Sequence, residues 1–141
     1  MLRGLGGLPV YRRQDDPAQM HLNDTTFDAA IGALHRGEAV QIYPEGLSHS
    51  GPALTPIRSG AARIALMSES QSDWQLGVCI QPVGLTYTRK HLFRGRVVAA
   101  FGEPFRVADL RSAYEEDDRA AVRMLTDTIR EKLEALTLNF D

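Results

Sequence analysis

Ala39-Val40-Gln41-Ile42-Tyr43-Pro44-Glu45-Gly46-Leu47-Ser48 is the stretch on which the reading of this chain turns. Ala39 to Tyr43 read as a buried strand, rich in β-branched and aromatic side chains. Pro44 stops it, because proline has no N–H to give to a ladder. Glu45 and Gly46 then fall in a loop at the strand's C-terminal end, where α/β folds hold their ligands. Gly46 lets backbone N–H groups approach an anion without side-chain obstruction. Glu45 has the chemistry to accept a hydrogen bond from a substrate hydroxyl or to clamp an arginine. The plainer reading of these residues alone is a strand-to-loop turn with a solvated glutamate.

On either side, elements alternate. Leu8-Pro9-Val10-Tyr11-Arg12 reads as a short strand that the polar run Gln14-Asp15-Asp16-Pro17 breaks. A helix is predicted over 25–36, with Phe27, Ile31 and Leu34 on one face, a polar cap among Asn23, Asp24 and Thr25, and Gly37 as its stop. A loop over 45–56 leads to a second helix over 59–68 with Ala61, Ile64 and Met67 inward. Val78 to Tyr87 is a predicted strand in which Pro82 marks a bulge or an edge, and Arg96 to Gly102 is another. The last helix carries an apolar stripe of Val122, Leu125, Ile129, Leu133 and Leu136, with Glu115 to Asp118 near its positive end. This alternation predicts an α/β fold with a mixed, partly parallel sheet flanked by helices.

Bulk properties narrow the function classes. The chain has 141 residues, 43% hydrophobic and 24% charged, with a net charge of -2 and a pI of about 6.1. Such a balance does not point to nucleic acid as a partner. Cys79 is the only cysteine, so no internal disulfide forms; its apolar strand predicts a small buried hydrophobe, and a reducing compartment is the natural setting. Neither a membrane span nor a signal peptide is read within the chain. No spacing of histidine, cysteine and carboxylate suggests a metal site, and no cofactor is implied. His21, His35 and His91 read as solvated. Gly46-Leu47-Ser48-His49-Ser50 approaches a serine-hydrolase elbow, but Pro52 and Pro56 forbid the helix that must follow. Arg89, Lys90, His91, Leu92, Phe93, Arg94 and Arg96 form a basic run, read either as a solvated hairpin tip or as a contact for anionic lipid heads or coenzyme A phosphates.

Four blocks occur in order: Gly7-Leu8-Pro9-Val10-Tyr11-Arg12-Arg13; Gly37 through Gly46; Leu54-Thr55-Pro56-Ile57-Arg58-Ser59-Gly60-Ala61-Ala62-Arg63-Ile64-Ala65; and Ile80-Gln81-Pro82-Val83-Gly84-Leu85-Thr86-Tyr87. Together they resemble the second, third and fourth motifs of the glycerolipid acyltransferases, the lysophosphatidate and glycerol-3-phosphate acyltransferases, over about 4–105. The resemblance implies transfer of a fatty acyl group from acyl-coenzyme A or acyl carrier protein to a hydroxyl of a glycerol phosphate or lysophospholipid, in phospholipid biosynthesis. It implies a peripheral place on the cytoplasmic side of a membrane surface. Arg12 or Arg13 matches the phosphate-holding arginine, Glu45 and Gly46 the residues that order the acceptor site, Arg58 a second phosphate ligand, and Pro82 a residue on the acyl-donor side. An arginine fork suits phosphate because it gives two parallel charge-assisted hydrogen bonds.

Two departures stand out. Where the family often reads Pro-Glu-Gly-Thr-Arg, this chain has Pro44-Glu45-Gly46-Leu47-Ser48, with His49 as the nearest donor for a phosphate. The family's general-base motif, a histidine, four residues and an aspartate, is absent: five places after the four histidines stand Thr26, Val40, Leu54 and Arg96. The expectation is an N-terminal truncation before that motif, leaving an acyltransferase-like domain over 1–106, incomplete at its start, and a helical segment over 107–141 packed on it. A non-catalytic lipid- or phosphate-binding module is the alternative.

Overall fold

The computed structural model describes residues 6–8, 23–46, 54–87 and 95–137. They fall into two compact units, Met1–Gln41 and Ile42–Asp141. The expected strand at Leu8 to Arg12 lies, beyond Leu8, outside the described residues, as do Arg13, His49 and most of the basic run.

The described part of the first unit is essentially one helix, α1 (Asn23–His35), which buries Thr26, Ala30 and Ile31. Gly37 ends it in the left-handed region, φ +76°, with its N–H on the Leu34 carbonyl at 2.9 Å and the Glu38 N–H on the Ala33 carbonyl at 3.0 Å. That is the stop the sequence announced, since only glycine takes such a φ without steric cost.

In the second unit α2 (Gly60–Gln71) and α4 (Asp118–Glu134) pack together, and α3 (Arg111–Glu116) leads into α4 from a 3₁₀ turn at Ala108–Leu110. Ala62, Ala65 and Leu66 of α2 meet Ala121, Leu125 and Ile129 of α4, with Val107 closing the cluster. Alanines on both helices allow the close approach that seats the two leucines. Val122 and Leu133 flank the stripe, as their spacing foretold.

Four short strands border this core: β1 (Cys79–Ile80), β2 (Val83–Tyr87), β3 (Val97–Phe101) and β4 (Phe105–Arg106). β1 pairs with β4 and β2 with β3, both antiparallel. The expected partly parallel sheet is therefore corrected: every pairing among the described residues is antiparallel. β2 and β3 are separated by only nine residues of sequence, and a parallel pair would need a crossover of about a dozen or more. The predicted strand over Ala39 to Tyr43 is not formed either, and Tyr43 is 68% exposed.

Pro82 does mark a bulge. Between the pairs Ile80↔Phe105 and Val83↔Phe101, Gln81 and Pro82 face Gly102, Glu103 and Pro104, so the second strand has one residue more. The Gln81 side-chain amide donates to the Gly102 carbonyl at 2.7 Å and the Pro82 carbonyl at 3.0 Å, while the Gly102 N–H donates to Pro82 at 3.0 Å. Cys79 proves exposed rather than buried. Ile80 packs on the core, and strand alternation then turns its neighbour outward. The same alternation puts Val83, Leu85 and Tyr87 with Phe101, Ala99 and Val97 on one face, and Leu85, Tyr87, Val97 and Phe101 are exposed there.

Close approach by Leu136 demands glycine at 84 and crowds Gly102. A Cβ on Gly84 would lie 2.9 Å from both the Leu136 Cβ and its carbonyl oxygen, and one on Gly102 would lie 3.2 Å from Leu136 Cδ1. Leu136, just past α4, is thus gripped between β2 and the bulge.

Asp117 caps α4, its side chain accepting from the Ala120 N–H at 3.0 Å. That bond chiefly holds the carboxyl below the usual aspartate range, helped by the Arg119 N–H and the charge of Arg123, against a smaller loss of hydration. A depressed folded-state pKa gives stability that is complete above the unfolded value, about 3.9, and is lost as pH falls through the folded one. Thermal melts of the wild type and Asp117→Ala are expected to be separated at pH 7, with the wild type higher, and to converge below that value. A separation that persists undiminished at pH 2 would count against the carboxylate as the cap.

Candidate functional site

Two segments of the second unit come together. Tyr43 to Gly46 turns on a 3.1 Å bond from the Gly46 N–H to the Tyr43 carbonyl, with Gly46 at φ +67°. Leu54 to Arg58 runs beside it, and the Arg58 N–H donates to the Pro44 carbonyl at 2.7 Å. Glu45 joins them: its Oε2 accepts both the Thr55 N–H at 2.9 Å and the Thr55 hydroxyl at 2.8 Å. Both bonds are half-buried and charge-assisted, the stronger class of protein hydrogen bond.

Glu45 therefore acts as a clamp, with Thr55 as a partner. The clamp brings Arg58 against Gly46, with Arg58 Cγ 3.7 Å from the point a Cβ would occupy. That is ordinary contact, so the demand for glycine at 46 comes from its positive φ. Arg58 itself is exposed, and its guanidinium meets no carboxylate among the described residues. It stands just ahead of α2, whose first turn holds no acidic residue. A helix N-terminus favours negative charge, so the field there adds to that of Arg58.

A cleft of about 340 Å³ opens on the other side of the same segment, between Leu54 to Ile57 and the Thr126, Asp127, Arg130 and Glu134 side of α4. Arg130 is paired with Asp127 at 2.8 Å, and Glu134 adds a second carboxylate. Two acids against one base disfavour an anion, so the cationic position is Arg58.

The structure brings together Glu45, Gly46 and Arg58 of the sequence-derived set. Pro82 sits apart from them, buried at the bulge, where its missing N–H suits a break in the ladder. Arg12, Arg13 and His49 lie outside the described residues. Thr55 was missed: it was read only as part of a block, and no periodicity links it to a glutamate ten residues earlier. Glu69 was missed too. It is fully buried in α2, where one carboxylate oxygen accepts the Val78 N–H and the other has no partner. Among the described residues no group of three metal-ligating side chains occurs, and no helix is long and apolar enough to cross a membrane.

Comparison with known proteins gives three relatives. Over 118 residues the chain is 36% identical to glycerol-3-phosphate O-acyltransferase 2 of Saccharomyces cerevisiae, covering 83% of this chain and 16% of that protein. Over 108 residues it is 35% identical to glycerol-3-phosphate O-acyltransferase 1 of the same yeast, covering 74% of this chain and 14% of that protein. An uncharacterized acyltransferase of Schizosaccharomyces pombe is 32% identical over 109 residues, again 74% of this chain and 16% of that protein. The chain thus spans about a sixth of the length of these relatives. No sequence-family profile and no solved structure matches it.

Proposed function

We propose, from the premise that this chain belongs to the glycerolipid acyltransferase family, that it carries the acceptor-binding part of an enzyme that acylates a glycerol phosphate. The observation that carries this reading is the clamp of Glu45 on Thr55, which sets an exposed Arg58 beside the Gly46 turn and ahead of α2. Arg58 would hold the acceptor's phosphate, with Arg12, Arg13 and His49 as further donors on the strength of the motif resemblance. Pro82 would shape the acyl-donor side.

In the reaction, the acceptor hydroxyl oxygen attacks the thioester carbonyl of acyl-coenzyme A or acyl carrier protein. A carbon–oxygen bond forms, the carbon–sulfur bond breaks, and the hydroxyl proton passes to a general base and on to the leaving thiol. These 141 residues hold no His-x-x-x-x-Asp to serve as that base. Their part is positioning, which supplies much of the advantage of a two-substrate enzyme. Contact with the cytoplasmic face of an anionic membrane belongs to the same proposal. It is supported by the exposed apolar face of β2 and β3 and by Arg89, Lys90, Arg94 and Arg96 in the sequence between those strands.

The test is calorimetric titration with glycerol-3-phosphate. Arg58→Ala is expected to weaken binding by about tenfold or more, the scale of a lost charged hydrogen bond, while the melting temperature of this exposed position stays unchanged. Equal affinity in the two proteins would overturn the assignment. Binding of phosphate-bearing lipid without acyl transfer by any longer form of the protein would favour a non-catalytic binding module.

A further inference from the structure

We infer that Thr55 is a positioning residue for phosphate recognition, acting through Arg58. The inference rests on the acceptor-site reading above and names a residue which that reading does not assign. Thr55 gives both its N–H and its hydroxyl to Glu45 Oε2, at 2.9 and 2.8 Å.

From Thr55 onward the chain has little freedom. Pro56 fixes its own φ and confines Thr55 to extended conformations. Ile57 packs against the core. The Arg58 N–H is tied to the Pro44 carbonyl at 2.7 Å. The segment is thus pinned at Thr55, Ile57 and the Arg58 backbone, and the exposed Arg58 side chain passes against Gly46. An arginine whose Cα is fixed loses less conformational freedom when it closes on a phosphate. Of the three pins, only the Thr55 clamp ties the side chain of one segment to the side chain of the other, so loosening it frees the bearing of Arg58 without disturbing the core.

Thr55→Val is the informative change. It keeps the shape, the β-branching and the backbone N–H bond to Glu45, and removes only the hydroxyl. Thr55→Ser restores the hydroxyl. Thr55→Val is expected to lower affinity for glycerol-3-phosphate by about three- to tenfold, the range of one hydrogen bond, and Thr55→Ser to recover most of it. In an Arg58→Ala background the same change is expected to have no further effect. Hydrogen–deuterium exchange of the Arg58 amide should quicken in Thr55→Val without ligand present. Unaltered affinity or exchange in Thr55→Val would overturn the inference, as would effects of the two substitutions that simply multiply. A wild-type chain that binds no glycerol-3-phosphate would instead overturn the acceptor-site reading, and this inference with it.

Discussion

Leu125→Ala should destabilise the chain by about 3–5 kcal/mol, the upper part of the range for a leucine removed from a protein interior. Leu125 is fully buried at the centre of the α2–α4 contact. The cost depends on how far neighbours can move into the space. Here Ala62, Ala65 and Ala121 are among them, side chains too short to reach in, and Leu66 is itself fully buried. The cavity should therefore persist. Total stability for a chain of this size is on the order of 7–20 kcal/mol, so one such loss is a large share. Met124, the preceding residue, is 50% exposed, and Met124→Ala should cost less than about 1 kcal/mol. Urea unfolding with an unchanged m-value would read the difference. Equal midpoints for the two variants would mean that the α2–α4 contact is not the core.

The contrast between α4 and α2 explains how much of the fold was legible in the sequence. In α4 the apolar residues are large and the opposite face is charged, so Val122, Leu125, Ile129 and Leu133 announce their face. In α2 alanines and small polar residues occur all round, and the period is ambiguous. Ile64 was placed correctly, but the interior also takes Ala62, Ala65, Leu66, Ser68 and Glu69, while Ala61 and Met67 are only half-buried. A fully buried glutamate in a helix contradicts every burial rule read from residue type. Its reason lies in the Val78 N–H that it receives across the fold.

Strands fared less evenly, for a related reason. Strand tendency takes effect through a partner, and Ala39 to Tyr43 has the composition of a strand but joins no ladder among the described residues. The bulge was legible because proline and glycine act locally. Strand direction was not, because it depends on which segments meet. At the site the same division holds. The turn at Pro44-Glu45-Gly46 could be read from residue types, and Gly46 has the positive φ that glycine permits. The receiver of Glu45 could not, since the Thr55 hydroxyl is a long-range fact.

Acyl transfer is the sharpest expectation. With glycerol-3-phosphate and a long-chain acyl-coenzyme A, these 141 residues should give no product above the uncatalysed background. If the upstream reading frame supplies a His-x-x-x-x-Asp segment, a polypeptide extended through it should be active. The size of the gap follows from what a general base does. Near neutral pH an alcohol is a poor nucleophile, and removing its proton during attack is typically worth 10²–10⁴ in rate. None of the four histidines has an aspartate at the required spacing, so no local pair is available to substitute. On the proposed reading Arg58 and the Glu45–Thr55 clamp hold an acceptor, but holding without deprotonation lowers only the part of the barrier that comes from bringing reactants together. Lysophosphatidate in place of glycerol-3-phosphate would separate two acceptors that share a phosphate but differ in a bound acyl chain. Turnover by a clean preparation of the 141 residues would sink the expectation and demand a base among the residues present. Turnover by the longer polypeptide alone, abolished by Arg58→Ala, would support both the proposed phosphate role of Arg58 and the need for a base outside these 141 residues.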